Sequence, residues 1–404
     1  MRHVRRREFV QAVFAAPVTA AFSSWAAIRE PSPETNPVIH PPKQSFLDTL
    51  PRLMELAELP GIGIGIVQGD RLAWQHYAGL ANADTKTPIT EASIFPAASM
   101  GKQVFAWAAL QVVQEGKLDL DRPLKEYLED GAPTGRWSEL ICARHVLSHS
   151  SGLPNWRWEK DQPLTPSFEP GTKFRYSGEG YYYLQRCIEH ITGIGAEQFL
   201  QDRAMKKAGM NSSTYLWRAD AEARLVFGHE HNEPYEGHEF AKKLFAVIQA
   251  SGKPLASWHH EEIVAAMSKQ SPAGSLLPLG VSPNAAFSLL TTVGDYCAFV
   301  ARIVAPPSEA ADVNPALRAQ MIRPYSHINS ALSWGLGWGI EQEGAGPRFL
   351  WQWGNNGRWM NFVLVHPESR SAIVVFSNGE NGMRVIERLV RAATDQDHAA
   401  FLWV

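Results

Sequence analysis

Along residues 61–79, GIGIGIVQGDRLAWQHYAG, apolar residues alternate with small or polar ones, and the run breaks at Gly69-Asp70. Period-two alternation on both sides of a Gly-Asp pair predicts a β-hairpin. From Met100 to Val113 the pattern changes, because Val104, Phe105, Trp107, Ala108, Leu110 and Val112 leave no polar stripe. A helix that is apolar all round is a buried helix, and Gly116 supplies its C-terminal stop. To about residue 320 the spacing stays mainly helical, with long irregular connections. Within this stretch Thr292, with Asp295 three residues on, caps an apolar helix. Strands return from Trp334 in GLGWGIE, NFVLVHPE and SAIVVFSN, and a last helix is expected from Met383 to His398. Strands at both chain ends with helices between predict an α+β fold. One antiparallel sheet would be built from the two ends and flanked by helices, with a mainly helical lobe inserted.

The chain ends change this picture. Residues 1–28 carry Arg5, Arg6 and Arg7, then an apolar stretch from Val10 to Phe22 and small residues near Ala26. This is the pattern of an export signal, and paired arginines followed by Phe9 and Val10 favour the twin-arginine route. The stretch is too short to span a bilayer and Pro17 interrupts it, so no stable membrane span is expected once the signal is removed. Residues 29–45 form a proline-rich linker, with PSPETNPVIHPP at 31–42, and residues 46–404 a single domain. An extracytoplasmic, periplasmic or secreted protein is expected.

Composition adds exclusions. Hydrophobic residues make up 45% and charged residues 20% of the 404, with a net charge of −3, which gives no case for nucleic acid or anionic lipid. The GIGIGI run is not a nucleotide loop, since Ile66 stands where the third glycine of that fingerprint belongs. Cys142, Cys187 and Cys297 are widely spaced and read as buried free thiols. His229, His231 and His238 lie among carboxylates, with His259 and His260 beyond, but no zinc-ligand spacing appears. Neither a metal nor a cofactor is expected.

The chemistry concentrates at FPAASMGKQ. Ser99 and Lys102 stand three apart at the mouth of the apolar helix, so hydroxyl and amine can meet on one face. Serine needs a neighbouring base to act as a nucleophile, and a lysine serves if burial lowers its pKa. Lowering it by about three units takes roughly 4 kcal/mol, which a buried first turn can supply. A helix N-terminus also points backbone N–H groups at the serine, ready for an oxyanion. Alone, an S-x-x-K pair is expected about once by chance in a chain of this length, as a capping serine and a snorkelling lysine.

The surrounding blocks decide between these readings. LPGIGIGIVQGD, IFPAASMGKQ, LQVVQEGKLDLDRPLKEYL, HVLSHSSGLP, PGTKFRYSGEGYYYLQRCIEHITG, FSLLTTVGDYCAFV and WGLGWGIE stand in order from residue 59 to 341. In this the chain resembles the serine beta-lactamase-like hydrolases, which include class C beta-lactamases, D-alanyl-D-alanine carboxypeptidases, D-amino-acid peptidases and related esterases. The resemblance implies the beta-lactamase/transpeptidase-like fold, Ser99 as acylated nucleophile, Lys102 as its base and Tyr176 as a proton relay. It also implies an oxyanion hole formed by the N–H groups of Ser99 and Asn355. A tyrosine near a lysine cation would have its pKa drawn down. His149, in HSSGLP, matches a structural turn and is expected to be a framework residue.

Two departures bear on substrate. The second motif usually reads Tyr-x-Asn and here is Tyr176-Ser177-Gly178, so its amide is missing. The third usually offers Lys or His before x-Gly, and here reads Gln352-Trp353-Gly354. A neutral amide binds a carboxylate about half as strongly as a cation does, and Arg358 is the nearest candidate to compensate. With Trp156 and Trp158 following SGLP, an apolar cleft is expected, suited to a small-molecule or short-peptide ester or amide rather than a penicillin. Gln352, Trp353, Gly354, Gly178 and Trp156 are the expected substrate-binding residues. The rival reading is a sensor or binding protein on the same fold with weak or lost hydrolysis.

Overall fold

The computed structural model describes residues 38–159, 162–269, 281–308 and 311–404. The expected leader and most of the expected linker lie outside the described residues.

Nine strands form one antiparallel sheet: β1 (Gly61–Gln68), β2 (Arg71–Asn82), β3 (Thr87–Pro88), β4 (Ser326–His327), β5 (Leu332–Trp334), β6 (Gly339–Glu341), β7 (Phe349–Asn355), β8 (Met360–His366) and β9 (Ser371–Ser377). Their order across the sheet is β3-β2-β1-β9-β8-β7-β6-β5-β4. The two chain ends meet where Ile62 pairs Ser377 and Val67 pairs Ala372. The hairpin at Gly69-Asp70 forms as expected, and the Gly69 φ of +69° is the left-handed geometry a tight turn takes. Of the expected strand GLGWGIE only Gly339–Glu341 is extended in the sheet. β5 ends at Trp334 and β6 begins at Gly339, with Gly337 at φ +92° in the turn between them.

The main helices are α1 (Gly101–Gln114), α2 (Gly178–Thr192), α3 (Glu239–Ser251), α4 (His260–Ser268), α5 (Val293–Val304) and α6 (Gly382–Thr394). Thr292 Oγ1 accepts from the Asp295 N–H, so α5 starts where the sequence placed it. The last helix stops at Thr394, four residues short of expectation, with Asp395 in a left-handed cap.

The GIGIGI run acquires a packing reason. A Cβ on Gly63 would lie 2.8 Å from Val293 Cγ2, and one on Gly65 would lie 2.5 Å from Cys297 Sγ. The glycines therefore let α5 lie directly on one face of β1. Ile62, Ile64 and Ile66 bury on the other face, with Val385, Ile386 and Leu389 of α6. The sheet is thus covered on both faces, and all three cysteines are buried and free.

The linker boundary needs correction. Ile39 is fully buried, and its N–H donates to Ser371 Oγ at 3.1 Å. Residues 38–42 therefore belong to the domain, because one isoleucine in a proline-rich stretch suffices to anchor it at the start of a central strand.

Candidate active site

Ser99 lies in a 3-10 turn, Ala98–Met100, immediately before α1 rather than within it. Ala98 has φ +50°, a conformation that costs a non-glycine residue on the order of 1 kcal/mol and needs support. Four hydrogen bonds provide that support. Asn361 Nδ2 donates to Pro96 O at 3.0 Å, the Ala97 N–H to Leu289 O at 2.8 Å, the Tyr296 hydroxyl to Met100 O at 3.0 Å and the Tyr215 hydroxyl to Gly101 O at 2.6 Å. Gly354 lets β7 close on the turn, since a Cβ there would lie 2.3 Å from Ala97 O.

Lys102, at the start of α1, is 1% exposed. Its Nζ lies 3.0 Å from Ser99 Oγ and 2.6 Å from Ala286 O, and 4.8 Å from the centre of the Tyr176 ring. Among the described residues no carboxylate pairs with it. Burial therefore holds its pKa well below the ordinary lysine value, and the amine can accept a proton.

Tyr176 hydrogen-bonds Ser99 and accepts from Gln352 Nε2 at 3.0 Å. The expectation of a lowered tyrosine pKa is overturned, because burial of the hydroxyl outweighs both hydrogen bonds and raises it. The residue as a whole is half-buried, and desolvation of its hydroxyl sets the shift. Tyr176 is therefore a phenol here. Gln352 is fully buried and also donates towards Ser99 O at 3.3 Å and Trp353 O at 2.8 Å, while its Oε1 has no partner.

Beneath Tyr176 lies His149, ring centres 4.0 Å apart, fully buried among Tyr181, Trp334 and Phe174. Its Nδ1 accepts from the Ser177 N–H at 3.0 Å, which puts the ring proton on Nε2. Burial, and then the Lys102 charge, depress its pKa well below the usual histidine value. The framework role expected for it agrees with this geometry.

Trp353 packs against Tyr176 at 4.6 Å and against Trp403 at 5.1 Å. Composition-level reading missed Trp403, Asn361 and Ala286. A tryptophan near the chain end, an asparagine in an apolar strand and a backbone carbonyl carry no local pattern that would have marked them. Asn355, following Gly354, is exposed at the end of β7. Arg358 does not replace the missing cation, because it pairs with Glu230 and lies over the Tyr235 ring at 4.5 Å. Trp158 is 71% exposed. The histidines of the polar stretch disperse. His229 binds the Ala83 N–H, while His231 reaches Glu58 and Glu380 at the surface.

A serine-lysine-tyrosine cluster under an antiparallel sheet assembled from both chain ends defines the class, and comparison with known proteins agrees. The beta-lactamase family model matches residues 48–396, and the chain belongs to that family. It is 28% identical over 192 residues to penicillin-binding protein 4* of Bacillus subtilis (42% of this chain, 41% of that protein). It is 32% identical over 96 residues to esterase EstB of Burkholderia gladioli (23% and 24%) and 29% identical over 181 residues to a D-aminopeptidase of Brucella anthropi (39% and 33%). These matches span less than half of each relative's length. The fold is that of the octameric penicillin-binding protein homologue from Pyrococcus abyssi, with TM-score 0.65, 19% identity and coverage of 88% of this chain and 77% of that one.

Proposed function

We propose that the protein is a serine hydrolase that works through an acyl-enzyme on Ser99 and cleaves a small uncharged ester or amide. The observation that carries this reading is the 3.0 Å contact between Ser99 Oγ and a fully buried Lys102 whose pKa is lowered. In acylation the Ser99 hydroxyl proton passes to the Lys102 amine as Oγ bonds the carbonyl carbon. The N–H groups of Ser99 and Asn355 receive the developing oxyanion. The carbon–oxygen or carbon–nitrogen bond then breaks and the leaving group takes the Tyr176 proton, which the Lys102 ammonium replaces. Water repeats the sequence on the acyl-enzyme, releasing the acid and restoring Ser99.

Gln352 in place of a cation supports esterase or D-amino-acid peptidase chemistry over lactam cleavage, because its amide is neutral and Arg358 is paired with Glu230. The same departure supports a second reading, a weakly active sensor that acylates and does not turn over. The leader pattern of residues 1–28 supports an extracytoplasmic setting for either. The test gives the protein and its Ser99→Ala variant p-nitrophenyl esters, a chromogenic cephalosporin and a D-alanyl-D-alanine peptide, with intact mass recorded during turnover. Ester turnover with a transient adduct on Ser99 is the expected result. Adducts that never clear would favour the sensor, and equal turnover by Ser99→Ala would overturn the mechanism.

A further inference from the structure

The place of the missing second-motif amide is filled. A Cβ on Gly178 would lie 2.5 Å from Cζ2 and 2.6 Å from Cη2 of Trp156, so no side chain fits at residue 178 while that indole is present. The indole meets Phe287 edge-to-face, ring centres 5.7 Å apart. Phe287 follows Ala286, whose carbonyl holds Lys102, and Gly178 lies two residues after Tyr176. The aromatic pair thus spans the two segments that carry the base and the proton relay.

The indole is also held in place. On one side of it, Asn155 O accepts from the Gly178 and Glu179 N–H groups at 3.1 and 2.9 Å, and Asn155 Oδ1 accepts from Gly178 N at 2.9 Å. On the other, Arg157 binds Glu179 through its backbone N–H at 3.0 Å, Nε at 3.1 Å and Nη2 at 3.0 Å. Glu179 is 1% exposed, so these charge-assisted bonds are enclosed. With both neighbours tied to the first turn of α2, Trp156 is a wall and not a flap.

We propose that Trp156 is a specificity-determining residue that exchanges recognition of an amide for contact with a flat apolar acyl group. This rests on the hydrolase reading above. The leaving group departs past the Tyr176 hydroxyl, whereas the acyl group stays on Ser99 beside Lys102, Ala286 and Phe287. Esters of aromatic acids are therefore the preferred class, and acylamido acids are rejected, because their amide would be buried against the indole without a partner.

Two measurements test this. In the first, p-nitrophenyl phenylacetate and acetate are compared by kcat/KM. Trp156→Gly lowers the phenylacetyl-to-acetyl ratio by about tenfold or more, whereas Trp156→Phe keeps most of it. Gly178→Asn alone lowers ester turnover through its clash with the indole. Adding Trp156→Gly to it restores turnover and raises the rate on p-nitrophenyl N-acetylglycinate relative to acetate. In the second, which requires no chemistry, phenylacetamide and acetamide are titrated into Ser99→Ala with and without Trp156→Gly. Phenylacetamide alone loses about tenfold in affinity. Absence of ester turnover in the wild type would remove the hydrolase reading while the calorimetric comparison still decides Trp156. An unchanged acyl ratio, or equal phenylacetamide affinity in both proteins, would overturn the inference.

Discussion

Gln352 Nε2 donates to the Tyr176 hydroxyl at 3.0 Å, and this neutral bond takes the place of the cation usual in the third motif. The same oxygen also hydrogen-bonds Ser99, and both bonds favour the ionised tyrosine less than burial disfavours it. The proposal of Lys102 as base rests instead on its 3.0 Å contact with Ser99 Oγ and its lowered pKa.

Replacing that amide by an ammonium reverses the electrostatics. Gln352→Lys draws the Tyr176 pKa down and provides a partner for a substrate carboxylate. The ratio of kcat/KM for a carboxylate-bearing ester to that for its neutral analogue rises about tenfold. Stability falls by about 3 kcal/mol, because the new charge is enclosed without a counter-ion. Kinetics on the paired esters and a denaturant titration check both outcomes, and an unmoved ratio would refute the role given to Gln352.

Lys102 makes folding depend on pH in a defined direction. The unfolded lysine keeps its proton up to its ordinary value of 10.5, whereas the folded one loses it at lower pH. Between those two values the unfolded state binds more protons, so stability rises with pH. Lys102→Met abolishes this slope and lowers kcat by about a thousandfold. Melting temperatures of both proteins from about pH 6 to about pH 9 read the difference. Parallel curves would show that Lys102 is charged in the fold.

His149 acts in the same direction at lower pH. Its depressed pKa means that, as pH drops below the unfolded value of 6.5, the unfolded state takes up a proton that the folded one resists. Stability is therefore complete above that value and falls on acidification. His149→Asn offers an acceptor to the Ser177 N–H while removing this titration, so its acid limb is shallower. Urea midpoints at about pH 7 and about pH 5 measure it, and identical acid losses in the two proteins would exclude His149 as the source.

Gly354→Ala tests the approach of β7 to the nucleophile turn. The new methyl would lie 2.3 Å from Ala97 O, so strand or turn must shift. A loss of about 1–3 kcal/mol is expected, together with a fall in acylation rate of about a hundredfold from misplacement of Ser99. A nitrophenolate burst of normal rate in the variant would mean that the close approach is dispensable.

Local pattern revealed the hairpin, the buried helix after Ser99 and the capped helix at Thr292, because each depends on residues a few positions apart. The Ser99–Lys102 pair was legible for the same reason. The opposite shift of Tyr176 was not, because it arises from burial imposed by β7 and the His149 loop, far away in sequence. Gly178 read as a lost group until Trp156 was found in its place, and residue identity alone does not reveal which side chain fills a gap. Ile39 was overlooked because its prolines dominate the composition around it, although a single buried contact fixes the segment.

The pairing of residues 61–68 with 371–377 has a consequence for synthesis. Ser99 and Lys102 leave the ribosome about 250 residues before the strand bearing Gln352 and Gly354. On the proposed reading, a nascent chain therefore holds its nucleophile and base long before the strand that packs against their turn. Over the same interval β1 presents an unpaired apolar edge, and slow closure of so distant a contact makes this the stage most exposed to aggregation.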